Sequence, residues 1–153
     1  MCYNKAKINF LEDCYMNNII RKFSIFLDNK NVRYNIAPND SNIIRIQNQL
    51  EKNSSAILTI ILACDDDEAQ DVHMIAFGIG QSNNIDEKLL NKLNELNHLY
   101  RWFKFYVEPD GKIIMSYDFY VRENSNEHLF ELLLRVLTIA DDSYPQIMQC
   151  LWG

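Results

Sequence analysis

Four residues, Glu108-Pro109-Asp110-Gly111, constrain this chain more than any others, because they read as the tip of a β-hairpin. Proline presets the first turn torsion, aspartate accepts a local hydrogen bond, and glycine takes the left-handed position. Phe103, Phe105 and Val107 alternate with Lys104, Tyr106 and Glu108 before the turn. Ile113, Met115, Tyr117 and Phe119 alternate with Ile114, Ser116, Asp118 and Tyr120 after it. A leucine-rich helical pattern from Ile85 to Tyr100 precedes the hairpin and a very apolar terminal helix follows it, with almost no linker. That order specifies a compact α+β unit.

Upstream, three further strands are expected at 42–50, 56–64 and 71–80. In the first, Ile44, Ile46 and Leu50 alternate with polar residues, as in a strand with one face in water. The next two differ. Ile57, Thr59, Ile61 and Ala63 point one way and Leu58, Ile60, Leu62 and Cys64 the other, while Val72, Met74 and Ala76 oppose Ile75, Phe77 and Ile79. Both faces of these central strands are apolar, so each needs a cover. The links 51–55 and 65–70 are too short for a parallel crossover, so the three strands form an antiparallel meander. Ahead of them, Ile19, Ile20, Phe23, Phe26 and Leu27 share one face of an amphipathic helix. The fold class is therefore α+β in the order α-β-β-β-α-β-β-α, an antiparallel five-stranded sheet with helices packed on it. Residues 1–17 form an N-terminal extension and residues 18–153 one domain.

A chain of 153 residues buries enough surface for one ordinary core and too little for two. Its 48% apolar and 24% charged composition excludes a largely disordered chain. The 15 lysines and arginines are scattered within a net charge of −6, so the basic patch that nucleic acid requires is not visible. No segment approaches the apolar length of a membrane span, and the first residues lack a signal-peptide core. Cys2, Cys14, Cys64 and Cys150 are far apart, as expected of reduced thiols in a cytoplasmic protein.

The helix from Ile85 carries Asn84 placed to cap it and Glu87 at the capping-box position. Leu89, Leu93 and Leu96 lie on its apolar arc, and Asn97 falls inside that arc. An amide there must find partners, either in a ligand or, as we favour, in a neighbouring strand or loop. The final helix runs to Ala140, with Asp141-Asp142-Ser143 and Tyr144-Pro145 interrupting it and a short continuation after Pro145. Its apolar residues, among them Phe130 and Leu134, span roughly 220°, about twice what one packing surface needs. This helix requires two contacts, which the sheet and another helix would supply ahead of a second molecule.

Catalytic patterns are sparse. Gly78-x-Gly80 lies between a strand and a helix, but the third glycine of a dinucleotide loop is absent. Asp65, Asp66, Asp67, Glu68 and Asp71 crowd a hairpin tip without the spacing of a calcium loop. Cys64 and His73 would come close across that hairpin, the minimum for a nucleophile pair, with no orienting third group. No catalytic residue, cofactor or metal ligand is assigned.

The chain resembles the YbjN family of bacterial sensory transduction regulators, within the type III secretion chaperone-like fold. The resemblance rests on Leu93-Asn94-Glu95-Leu96-Asn97, on Phe103-Lys104-Phe105 with Asp110-Gly111-Lys112, and on Ala140-Asp141-Asp142 with Tyr144-Pro145-Gln146-Ile147-Met148. It covers nearly the whole chain, from about Asn18 to Gly153. It implies a non-enzymatic, cytoplasmic, dimeric protein whose apolar surfaces receive another polypeptide. In the secretion chaperones the helix between the strand groups makes the dimer contact, and the sheet with the first helix receives the client.

The expected function is therefore a chaperone-like or regulatory protein-binding module that forms a homodimer or holds a protein or peptide partner, without nucleic acid or membrane. Phe23, Phe26, Ile61, Phe77, Leu89, Leu93, Leu96, Phe130 and Leu134 are the candidate interface residues, and Asn97, Asp110 and Gly111 the structural polar and turn positions. The alternative is a small-molecule sensor with a pocket near Asn97, Tyr106 and Tyr117.

Overall fold

A computed structural model describes residues 16–122 and 125–153. Three helices and six strands follow one another as α1 (Asn18–Asn29), β1 (Asn35–Ala37), β2 (Asp40–Gln49), β3 (Ile57–Ala63), β4 (Asp71–Gln81), α2 (Glu87–Leu99), β5 (Lys104–Val107), β6 (Lys112–Tyr120) and α3 (Asn126–Trp152). The strands form one sheet in the order β1-β2-β3-β4-β6-β5, and every pairing is antiparallel. The expected α+β class and antiparallel sheet are present, with six strands where five were expected. The extra one, β1, is only three residues long and contains Ala37 just before Pro38, too short to leave an alternation. It pairs with β2 through Ile36 opposite Ile44.

The β2-β3-β4 meander has the expected antiparallel register, with Ile44 opposite Leu62 and Leu62 opposite Met74. Burial alternates along it. Ile44, Ile46, Leu58, Ile60, Leu62, Met74 and Ala76 are buried, and Met115 continues the row on β6. This face carries the helices: α1 packs on β2, α3 on β4 and α2 on β5, while α3 also packs against both other helices. The broad apolar arc of α3 is met in this way, with Leu129, Leu132, Leu133, Val136, Ala140 and Ile147 all inside.

Two of the helices, α1 and α2, start at side-chain caps. Asn17, assigned by sequence to the N-terminal extension, is 1% exposed and caps α1, its Oδ1 accepting from the Ile19 N–H at 2.8 Å. Its amide nitrogen donates to the carbonyls of Asp66 and Ala69, which ties the helix start to the β3–β4 loop. Residues 1–15, including Cys2 and Cys14, lie outside the described residues. At α2 the cap is Asp86, not Asn84, with Oδ1 accepting from the Leu89 N–H at 2.9 Å. A carboxylate at a helix N-terminus also opposes the helix dipole, which favours aspartate over asparagine there.

The terminal helix is not interrupted at 141–145. It runs through Pro145 to Trp152. A proline removes the N–H that would bond the carbonyl four residues earlier, here that of Asp141. Asn53 replaces it, its Nδ2 donating to the Asp141 carbonyl at 3.0 Å. Gly80 also has a packing role: a Cβ there would lie 2.8 Å from Leu151 Cδ1 and 2.9 Å from Met148 Cε, so α3 rests directly on β4. The glycines of Gly78-x-Gly80 therefore belong to a strand, in the bulged segment between Phe77 and Gln81.

Candidate functional site

Because strand side chains alternate and all three helices take one face, the residues between the core positions line a face that no described residue covers. Register sets them in rows. Ile61 on β3 is opposite Ile75 on β4, which is opposite Ser116 on β6. Thr59 is opposite Phe77, Phe77 opposite Ile114, and Ile114 opposite Tyr106 on β5. Ile61, Ile75 and Phe77 are half-buried, Ile114 is shielded by its neighbours, and Ile57 and Tyr106 are exposed at 58% and 38%. Polar residues bound the strip on β2, where Arg45 and Gln47 are exposed and Gln47 Nε2 donates to Thr59 Oγ1 at 3.2 Å.

At one end of the strip His73 sits between two carboxylates. Nδ1 is 2.8 Å from Asp118 and Nε2 is 3.1 Å from Asp65. The hydrogen bond to Asp118 raises the imidazole pKa, burial opposes it, and Asp65 adds to the rise. With both ring nitrogens facing carboxylates, the doubly protonated cation is the form that fits.

Cys64 is buried, and burial together with Asp65, Asp66 and Asp71 pushes its thiol up to about 12. A thiol held protonated is a poor nucleophile, and the imidazole of His73 is engaged by Asp65 and Asp118. No cluster of three or more His, Cys, Asp or Glu among the described residues is arranged to hold a metal ion. None of the described helices is long and apolar enough to cross a membrane.

The sequence-nominated interface residues fall in three places. Ile61 and Phe77 are on the helix-free face. Phe26 and Phe130 meet edge-to-face at 5.8 Å in the α1–α3 seam, with Lys30 Nζ over both rings, and Leu134 is 49% exposed on α3. Phe23, Leu89, Leu93 and Leu96 instead lie within the protomer core, each at most 3% exposed. A helical wheel identifies an apolar arc but not which part of it the same chain covers, so these four are corrected from surface to core. Ile57, Ile75, Ile114 and Tyr106 were not nominated as interface residues, although for Ile57 and Ile75 the two-sided apolarity of the central strands was the signal.

Asn97 takes the structural role favoured from sequence. Its Nδ2 donates to the Phe105 carbonyl at 3.0 Å and its Oδ1 accepts from the Phe105 N–H at 2.6 Å. The amide's polar atoms face the backbone of β5, which removes the basis for a ligand pocket built on Asn97. Asp110 and Gly111 form the expected turn, with Asp110 Oδ1 accepting from the Lys112 N–H at 3.0 Å.

The profile of the YbjN family, described as "Putative bacterial sensory transduction regulator", matches residues 42–148, from β2 to α3. The chain belongs to the YbjN family. Among solved structures, this YbjN protein is similar to a chain of the heterodimeric complex ExoU-SpcU from the type III secretion system of Pseudomonas aeruginosa, with a TM-score of 0.51 and 11% identity over 84% of this chain and 96% of that one. That likeness is one of fold, and the fold is type III secretion chaperone-like. No curated protein matches the sequence.

Proposed function

We propose that this YbjN-family protein is a non-catalytic, chaperone-like module of the bacterial cytoplasm that holds a polypeptide, either a second copy of itself or a client, against the helix-free face of its sheet. The observation that carries the reading is the strip of Ile61, Ile75, Phe77, Ile114 and Tyr106 across four neighbouring strands. An apolar strip of this kind, bordered by polar side chains, is what polypeptide recognition uses. A polypeptide laid over it would remove its apolar area from water, at roughly 25 cal/mol per Å². The membership of the similar chain in a heterodimeric complex supports a protein partner.

Light scattering over a range of concentrations, with binding of a hydrophobic dye, tests the reading. Mass above the 18.1 kDa protomer or saturable dye binding is expected. A strict monomer that binds neither dye nor apolar peptide ends the proposal.

A further inference from the structure

We propose that a cleft between the C-terminal end of α2 and the middle of α3 is a second docking site, for an acidic, apolar segment of another polypeptide. It lies apart from the helix-free face and does not depend on the function assigned to that face. The cleft has a volume of about 350 Å³. Leu99, Arg101 and Trp102 from the end of α2 and the loop after it line the cleft together with Arg135 and Ile139 of α3. Arg135 and Ile139 are four residues apart on α3 and so share a face.

Two features select the occupant. Leu99 and Trp102 are 65% and 64% exposed, although Trp102 is held in place edge-on against Tyr117 with 6.4 Å between ring centroids. A large, oriented indole left in water is the kind of side chain that anchors a protein contact. The second feature is charge. The chain carries a net charge of −6, yet two arginines converge on this cleft, and neither Arg101 nor Arg135 forms an ion pair among the described residues. Guanidinium groups bind carboxylates in a planar, two-pronged geometry. An apolar side chain against Trp102 and Leu99, followed by Glu or Asp, satisfies both the indole wall and the arginines. A small apolar acid fits less well, because ligand sites of that kind bury most of the molecule and this cleft leaves one side open.

Selecting a random dodecapeptide library on the Trp152→Phe protein, which leaves Trp102 as the sole indole, tests the proposal. Enriched peptides that pair apolar residues with Glu or Asp, shift Trp102 emission saturably and lose about tenfold or more in affinity for Arg101→Glu/Arg135→Glu support it. Equal affinity for the charge-reversed variant overturns it, as does a basic or uncharged consensus, or no enrichment. Laurate shifting Trp102 where peptides do not would assign the cleft to a fatty acid instead. A dimer that the charge reversal dissociates would assign it to a second copy. Circular dichroism of the surface variant, expected to match its parent, separates these outcomes from misfolding.

Discussion

Asn53 donates from its side-chain amide to the carbonyl of Asp141, the group that Pro145 leaves without its helical N–H. The bonds all run the same way, and the Asp141 carboxylate also accepts from the Lys52 N–H at 2.8 Å, the Asn53 N–H at 3.2 Å and Asn53 Nδ2 at 2.8 Å. One aspartate thus fixes the β2–β3 loop to the terminal helix, and one asparagine lets that helix continue past a proline.

Asp141→Ala is expected to destabilise the protein by about 1–2 kcal/mol, since hydrogen bonds from Lys52 and Asn53, which are themselves partly in water, to a charged group are lost. Burial pushes the Asp141 carboxyl up, but the hydrogen bonds from Lys52 and Asn53 outweigh it and hold the pKa below the usual value. A group depressed on folding adds stability that is full above the unfolded pKa and is lost as pH falls through the folded one. Denaturant unfolding of wild type and Asp141→Asn from pH 6 down to about pH 3 should therefore converge as acid removes the wild-type advantage.

Asn97→Leu should cost about 1–3 kcal/mol although it adds apolar volume, because the Phe105 N–H and carbonyl lose their partner. Hydrogen exchange is expected to rise first at Phe105. A variant with unchanged protection there would show that the edge strand is held by other means.

The sheet meander, the hairpin and the apolar face of each helix were legible because alternation and turn chemistry are local. Asp141 and Asn53 were not, since they are 88 residues apart and meet only in the folded chain. The same proline that reads locally as a break is accommodated by that distant amide. Phe23 and Leu93 were misplaced for a related reason: apolar periodicity reports that a face is covered, not by what. On the sheet the inference was stronger, because helices can cover only one of two apolar faces when all three lie on the same side.

Gly111→Ala should destabilise by at least about 1 kcal/mol from torsion alone, because φ is +86° and an added Cβ would come within 1.8 Å of the Ser82 carbonyl oxygen. The Ser82 N–H donates to the Gly111 carbonyl at 2.9 Å, so the hairpin tip and the end of β4 would shift together. Thermal melts of the variant check this.

His73 gives the opposite pH dependence to Asp141. Its pKa is raised on folding by Asp118 first and Asp65 third, so its stabilisation is full below the unfolded value of about 6.5 and is lost as pH rises through the folded one. The site is partly open to solvent, which limits the effect to about 1 kcal/mol or less. His73→Gln should flatten the stability profile above about pH 6.5.

The helix-free face of the sheet is the proposed polypeptide-binding surface. Ile61→Asp/Phe77→Asp places two charges in the middle of that face without touching the helix-covered core. Light scattering and dye binding on this variant, with the far-ultraviolet dichroism of the wild type retained, is the most direct measurement. Self-association and dye or peptide binding should be lost together while the fold persists. Unchanged binding by the folded double variant would contradict the proposal.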